Sequence, residues 1–161
     1  MVEIIPYQHT WPLDFQSIAK TLRIALGDLA LRIDHIGSTS VEGLAAKDVI
    51  DIQISVADFS PAVLAAMNSA GYHLKKILSW DHIPPLFTGT AENWQKLFFQ
   101  APSGQRRTHT HMRVIGRANQ RYPILFRDYL RTHTATAQAY AELKRMLAAH
   151  LADPELYPEV K

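Results

Sequence analysis

The stretch Asp34–Val56 constrains the fold more than any other part of this 161-residue chain. Just before and into it, apolar residues alternate at Leu29, Leu31 and Ile33, a period-two pattern that predicts a β-strand. Gly37 ends this alternation, and a second run follows in which isoleucine and valine alternate with polar residues. The stretch therefore predicts two strands joined through a tight turn, and both strands need a sheet around them.

The turn itself predicts a short helix with an anion-binding start. Ser38, Thr39 and Ser40 follow Gly37, and Thr39 and Glu42 have the spacing of a capping box. A glycine followed by a serine at such a turn can present backbone N–H groups and a hydroxyl to an anion. The same residues also suit a plain turn with a helix cap, and the sequence alone leaves both interpretations open.

The second predicted strand, Val49–Val56, has two unlike faces. Ile50, Ile52 and Ile54 form an apolar face, and Asp51 begins the polar one. A carboxylate close to a phosphate-binding turn is one half of a metal–nucleotide site. The polar face either lines a cleft or faces solvent.

The rest of the chain predicts alternating strands and helices, then a hairpin, then two helices. Predicted helices begin near Thr10, run over Pro61–Ala70 and Pro123–Arg131, and begin again at Thr134; the other predicted strands are Val2–Pro6, Leu29–Ile36, Tyr72–Leu78, Trp94–Gln100 and Arg107–Ile115. The segment Ser79–Glu92 is predicted to be a loop, and its Trp80–Pro85 part either covers a base or is a surface bulge. This order predicts one α/β (α+β) domain over residues 1–161, with a mixed sheet flanked by helices.

Two helical stripes are predicted to lie in the core because their apolar residues recur at three- and four-residue spacing. The first contains Phe15, Ile18 and Leu22, and the second contains Ala137, Tyr140, Leu143, Leu147 and Leu151. Pro154 is expected to end the last helix.

Composition excludes several classes of protein. The net charge is only +2, which disfavours a nucleic-acid-coating surface. The chain has no cysteine, so disulfides, thiolate metal sites and cysteine nucleophiles are excluded. Glu3 and Pro6 argue against a signal peptide, and no apolar run approaches the roughly 20 residues of a membrane span. We therefore predict a cytoplasmic protein without a membrane partner, and its oligomeric state stays open.

Motifs spread over nearly the whole chain resemble one known family. They are Pro6-Tyr7, Trp11-Pro12, Phe15, the run Ile33–Ser40, Gly43–Lys47, Ile50–Ile52, Trp94, Lys96, Phe99, His109–His111, Phe126–Leu130 and Ala139–Lys144. The chain resembles the GrpB family, small proteins of largely unassigned function in the nucleotidyltransferase superfamily. A related domain also occurs fused to dephospho-coenzyme A kinase in some bacteria.

The resemblance implies a phosphate site that is complete and a metal site that is not. In the superfamily a Gly-Ser turn holds phosphate, and two carboxylates one residue apart, with a third on a later strand, bind divalent Mg²⁺ or Mn²⁺. Gly37-Ser38 and Asp51 match this pattern, but Gln53 stands at the second acid position. The predicted strand Arg107–Ile115 contains no Asp or Glu. An amide does not replace the charge with which a carboxylate holds Mg²⁺.

His109 and His111 lie two residues apart, on one face of a predicted strand. If this strand neighbours that of Asp51, the three side chains can share a transition metal or act in catalysis. The alternative is a hydrogen-bonded or solvated polar face.

The predicted phosphate- or nucleotide-binding residues are His35, Gly37, Ser38, Thr39, Ser40, Lys47, Gln53, Lys96, Arg107 and Arg113. For His35, orienting the turn and taking part in catalysis are both open. The leading prediction is a protein of nucleotidyltransferase fold that binds a nucleotide or phosphorylated small molecule, with metal-dependent nucleotidyl or phosphoryl transfer as its catalytic form. The alternatives are a non-catalytic binding module and a metal-binding protein that uses Asp51, His109 and His111.

Overall fold

The computed structural model describes residues 3–150, apart from the side chains of residues 76–79. Five of its strands form one mixed sheet, and the α-helices pack on both sides of it. The strands are β1 (Arg32–Ile36), β2 (Ile50–Val56), β3 (His73–Trp80), β4 (Gln95–Gln100) and β5 (Thr108–Val114); the helices are α1 (Trp11–Leu26), α2 (Pro61–Ser69), α3 (Ala118–Thr132) and α4 (Thr134–His150). The predicted α/β fold class is confirmed.

The strand order is β1-β2-β5-β4-β3, which places β2 and β5 side by side in the middle of the sheet. These two strands are parallel, and every other neighbouring pair is antiparallel. The hairpin predicted from the sequence is β4 and β5, whose residues Phe98 and His111 pair directly. A parallel pair needs a long crossover connection, and α2, β3 and β4 all lie within the one between β2 and β5.

The main core lies on the apolar face of β2. Ile50, Ile52 and Ile54 are fully buried there, in one cluster with Trp11 and Leu22 of α1. The predicted alternation of this strand therefore has a direct structural consequence, because its apolar face binds the helices and its polar side chains are left for the opposite face.

On the other side of the sheet, α3 and α4 form a second, smaller apolar cluster. Leu130, Ala137 and Ala141 of the two helices are buried against Val41 and Leu44, which follow the turn after β1. The α3–α4 pair is thereby fixed beside the turn that the sequence singled out.

Several predicted boundaries change. Strand β1 begins at Arg32, because Leu29 belongs to a 3-10 turn and is 37% exposed. The predicted helix after Gly37 is a single 3-10 turn, Ser38–Ser40, and Val41 is already extended. The capping box of Thr39 and Glu42 is wrong, since no side chain caps this turn and Glu42 is exposed.

Helix α3 begins at Ala118, five residues before the predicted start at Pro123. Pro123 therefore lies inside the helix, where it cannot donate a backbone hydrogen bond. The helix begins earlier because tertiary contacts hold its first turn. Asn119 Nδ2 donates to Gln95 O at 2.8 Å, and Gln120 Nε2 donates to Ser55 Oγ at 3.1 Å.

The predicted core stripe of α4 is partly wrong. Leu143 is 47% exposed, whereas Lys144, which the prediction did not place in the core, is 1% exposed. Of the other predictions for the chain ends, Val2, Leu151 and Pro154 lie outside the described residues. Within residues 3–150, no helix is both long enough and apolar enough to cross a membrane.

Candidate functional site

Asp51 and His109 lie directly opposite each other on the parallel strands β2 and β5. Their side chains meet, with Asp51 Oδ1 at 3.0 Å from His109 Nδ1. Because a carboxylate only accepts hydrogen bonds, this contact places the proton of a neutral imidazole on Nδ1 and leaves Nε2 as an acceptor. The two side chains are 26% and 41% exposed, so a small molecule can reach the pair.

Gly37 packs directly against Asp51. Its φ of 70° lies in the left-handed region, and a Cβ atom at this position would collide with the Asp51 carboxylate. Glycine is therefore needed both for the backbone conformation and for the close approach. The turn that opens at Ser38 is in this way held beside the carboxylate.

Tyr140 of α4 joins this site, although the sequence analysis placed it only in the core. Burial raises the pKa of its hydroxyl, nearby Tyr122 and Asp51 raise it further, and a hydrogen bond with Ser38 opposes them. Phe126 meets the Tyr140 ring edge-on at 5.3 Å and lies nearly parallel to Tyr122 at 6.1 Å. A row of three rings thus leads from the turn to Tyr122, which is 59% exposed.

His35 lies on the opposite face of the sheet. Its ring stacks on Phe15 of α1 at 4.7 Å, and its Nε2 lies 3.0 Å from Thr39 Oγ1. Thr39 in turn donates to Val49 O at 3.3 Å, so Nε2 of His35 is the donor to Thr39. Burial lowers the pKa of His35 to about 4. His35 therefore supports the turn from behind as a neutral imidazole, and the structure does not bring it to the cleft of Asp51.

Gln53 is fully buried within a polar network further along β2. Its Nε2 donates to Gln120 O at 2.8 Å, and its Oε1 accepts from Arg113 Nη1 at 2.7 Å. Arg113 also holds Asp81 with two hydrogen bonds, of 2.9 and 3.1 Å. Burial raises the pKa of Asp81, but Arg113 and then Lys96 outweigh it, and the pKa is lowered overall.

This network occupies three of the predicted phosphate-binding side chains. Lys96 Nζ lies 2.5 Å from Asp81 Oδ1, and Arg113 is only 4% exposed. Position 53 has a glutamine where the resemblance implies an acid, and this glutamine is a structural residue. Both ends of its amide are hydrogen-bonded within the network and not to the Asp51 cleft. Asp81 comes from the Trp80–Pro85 segment, which the sequence assigned to a base cover or a bulge.

The remaining predicted residues lie around the turn. Thr39 and Ser40 are buried, and Ser40 Oγ donates to Gly37 O at 2.5 Å. Lys47 is half-buried on the segment before β2, and Arg107 is exposed immediately before β5. The structure thus brings Gly37, Ser38, Asp51 and His109 together and leaves the predicted basic residues elsewhere or at the margin.

His111 lies beyond His109 on β5 and packs against Phe98. Its ring centroid is 5.1 Å from that of Phe98 and 6.4 Å from that of His109. Across residues 3–150, no three His, Asp or Glu side chains form a group that could hold a metal ion. The hydrogen bond between Asp51 and His109 uses Nδ1 of the imidazole and Oδ1 of the carboxylate, and it leaves the lone pairs of His109 Nε2 and Asp51 Oδ2 out of this contact. The metal site predicted from Asp51, His109 and His111 stays a prediction.

Three residues near the site were not predicted from the sequence to belong to it: Tyr122, Tyr140 and Lys144. Lys144 Nζ donates to Ala45 O at 2.6 Å and lies 4.9 Å from the Tyr140 ring centroid, a cation–π distance. The four-residue spacing of Tyr140 and Lys144, which places both on one helix face, was the available signal.

The fold indicates the broad structural class of the protein. The chain superimposes on the structure of a cytoplasmic RNA terminal U-transferase with a TM-score of 0.57 and 13% identity, over 89% of this chain and 41% of that one. This likeness concerns the fold alone, which is nucleotidyltransferase-like. The family is more specific. The GrpB protein family matches residues 1–161, and the chain belongs to it.

Individual relatives agree with this assignment. The crystal structure of the conserved protein GrpB from Enterococcus faecalis aligns with a TM-score of 0.73 and 27% identity, over 96% of this chain and 88% of that one. A UPF0157 protein of Pseudomonas aeruginosa is 35% identical over 99% of this chain and 63% of its own length. A dephospho-CoA kinase of Mycolicibacterium paratuberculosis is 34% identical over 89% of this chain. The chain spans only 39% of that kinase and less than two thirds of either protein.

The Gln53 network predicts the effect of restoring an acid at this position. In Gln53→Glu a carboxylate oxygen would face the carbonyl of Gln120 in place of a donor, and we expect a loss of about 2 kcal/mol in the free energy of unfolding. Urea unfolding measures this loss. Gln100→Glu, the same change at an exposed position of β4, should alter stability by less than about 0.5 kcal/mol. Unchanged stability of Gln53→Glu would contradict the network.

The buried neutral imidazole of His35 predicts a pH dependence. Its pKa rises from about 4 in the folded chain to the ordinary 6.5 on unfolding, so the unfolded chain binds more protons between these values. The stability that neutral His35 contributes is complete above pH 6.5 and is lost as the pH falls toward 4. Between pH 7.5 and 4.5 the wild type should therefore lose about 2–3 kcal/mol more than His35→Gln.

Urea unfolding at the two pH values measures that difference. His73→Gln, at an exposed position, is the matched control and should lose stability in parallel with the wild type. Parallel curves for the wild type and His35→Gln would show that His35 does not titrate as described.

Proposed function

We propose that the protein binds a nucleotide in the cleft formed by the Gly37-Ser38 turn, the Asp51–His109 pair and Tyr140. The observation that supports this best is the contact of the turn with both Asp51 and Tyr140. In the proposed complex the Tyr140 phenol donates to the Ser38 oxygen, and the Ser38 hydroxyl has its own proton to donate to a phosphate group. The raised pKa of Tyr140 keeps its proton in place at neutral pH.

The row of rings supports a nucleotide over other phosphate esters. Tyr122 is exposed and lies at the end of the row that starts at Tyr140, with Phe126 between them. A base can stack on the Tyr122 ring while its phosphates reach Ser38, because aromatic faces accept any base. A sugar phosphate would leave this ring unused.

For group transfer, the Asp51–His109 pair supplies a general base. An acceptor hydroxyl would give its proton to His109 Nε2 while its oxygen forms a bond to phosphorus, and the leaving phosphate group would depart with the electrons of the broken P–O bond. Asp51 would hold the imidazole in the required orientation and stabilise the imidazolium. Asp51 is then a positioning residue and His109 the group that touches the acceptor.

A second function, nucleotide binding without turnover, is favoured by one specific observation. The side chain at position 53, where the superfamily implies a second acid, is an amide bonded to Gln120 and Arg113. Asp51 is then the acid that this strand contributes to the cleft. Such a protein would recognise a nucleotide or phosphorylated cofactor and hold it unchanged.

Removal of the Ser38 hydroxyl tests the binding site. We expect Ser38→Ala to weaken nucleotide binding about tenfold or more, because a hydrogen bond to a charged phosphate is lost. Isothermal titration with ATP, CTP, GTP and UTP measures this. Ser17→Ala, at an exposed position of α1, should bind as the wild type does. Equal affinities for the wild type and Ser38→Ala would place the phosphate elsewhere.

Tyr122→Ala separates the base from the phosphates in the same titration. It should weaken nucleotide binding about tenfold and leave tripolyphosphate binding unchanged, since stacking contributes about 1–3 kcal/mol per base. Tyr129→Ala, at another exposed position of α3, is its control.

Substitution of Asp51 distinguishes transfer from binding alone. If Asp51 orients the base, Asp51→Asn should bind the nucleotide within about threefold of the wild type yet release product about 100-fold more slowly. Chromatography of labelled nucleotide products measures turnover. No product from the wild type with any of the four nucleotides would support the non-catalytic function, and equal rates for both proteins would remove His109 and Asp51 from the mechanism.

A further inference from the structure

A second pocket lies behind the turn, separate from the cleft of Asp51. Its volume is about 410 Å³, within the usual range for sites that bind small molecules. The segment Ser40–Glu42, the end of α3, the start of α4 and Tyr7 surround it. None of Gly37, Ser38, Asp51 or His109 lines this pocket. A ligand bound here would thus occupy a different place from the proposed nucleotide.

One wall carries the guanidinium group of Arg131. Its Nε and Nη2 donate to Ser40 O at 3.0 and 2.7 Å, while its Nη1 lies 3.8 Å from the carboxylate of Asp128. Burial lowers the pKa of Arg131, and the charge of Arg127 lowers it further. Arg131 thus lies between the cation of Arg127 and the carboxylate of Asp128, its Nε and Nη2 are held by Ser40 O, and its side chain is 44% exposed. A carboxylate in the pocket would accept from Nη1, because the 3.8 Å between Nη1 and Asp128 is too long for a hydrogen bond.

A second wall carries a carboxylate and a phenol. Glu42 is exposed on the segment after the turn. Burial raises the pKa of the Tyr7 hydroxyl, Glu42 raises it further and Arg131 lowers it, so both charges act on this side chain. Glu42 and Arg131 therefore present opposite charges to one small volume, and an ammonium group is the natural partner of Glu42.

The base of the pocket is apolar. Val41, Leu130 and Ala137 line it and are 2%, 3% and 8% exposed. These side chains belong to the apolar cluster of α3 and α4 and are fixed by it. An aliphatic or aromatic group that contacts them would be removed from water.

We propose that this pocket binds a free α-amino acid with an apolar side chain, its carboxylate on Arg131, its ammonium group on Glu42 and its side chain on the base formed by Val41, Leu130 and Ala137. The pocket has one cation, one anion and one apolar surface, which matches the three groups of such a molecule. The proposal does not rest on nucleotide binding, and each can fail without the other.

Isothermal titration with L-leucine and L-phenylalanine tests the proposal. We expect saturable binding of at least one of them to the full chain. Phenethylamine, which lacks the carboxylate, and 3-phenylpropanoate, which lacks the ammonium group, should each bind about tenfold more weakly or worse than phenylalanine. Absence of saturable binding for both amino acids, or equal binding of phenylalanine and 3-phenylpropanoate, overturns the proposal.

Variants locate the site. Glu42→Gln and Arg131→Lys should each weaken binding of the amino acid about tenfold, because the first loses the charge and the second cannot bind Ser40 O and the ligand carboxylate with separate nitrogens. Glu142→Gln, at an exposed position of α4, is the matched control and should bind normally. Glu42 is exposed, so its variant is expected to fold even if Arg131→Lys does not. Unchanged binding by Glu42→Gln overturns the assignment.

Discussion

The parallel pairing of β2 and β5 is the constraint on which the polar face of the sheet depends. Its register sets Asp51 beside His109, Gln53 beside His111 and Ser55 beside Arg113. Strands β2 and β5 are far apart in the chain, and the residues between them form a helix and two further strands. The imidazole–carboxylate pair is therefore a product of the sheet topology, and neither strand could form it alone. A slip of one residue would send each of these side chains to the apolar face.

Along β2 and β5 the polar face of the sheet changes within a few residues from partly exposed to largely buried. At one end Asp51 and His109 are partly exposed, beside the turn and Tyr140. At the other end, Arg113 and Asp81 are joined in a largely buried ion pair with two hydrogen bonds, which is favourable only when the geometry satisfies both charges. The chain thus uses its buried polar residues to fix α3 on the sheet, and it leaves one carboxylate–imidazole pair open.

The fold class, a tight turn at Gly37 and the hairpin of β4 and β5 were predicted correctly from the sequence because these depend on local patterns. The alternation in β2, the glycine at position 37 and the hairpin of β4 and β5 each leave a periodic or conformational signal. The predicted roles of Lys96, Arg113 and His35 depend on tertiary contacts instead. Asp81, which neutralises Lys96 and Arg113, lies in a segment without regular periodicity, and no spacing rule connects it to them. Whether a strand residue faces a cleft or a packed helix depends on which elements, distant in the chain, cover that face of the sheet.

The turn at Gly37–Ser40 is short, but its position is fixed because neighbouring residues contact it from three directions. Asp51 contacts Gly37 on one face of the sheet, His35 holds Thr39 from the other, and Arg131 binds the carbonyl of Ser40 from α3. A 3-10 turn of three residues has little stability of its own, so its geometry comes from these neighbours. Arg131 also lines the second pocket. A ligand bound to Arg131 there would therefore be connected, through this side chain, to the Ser40 carbonyl at the end of the turn. If both sites bind their ligands, linkage requires that any effect of one on the affinity of the other be reciprocal.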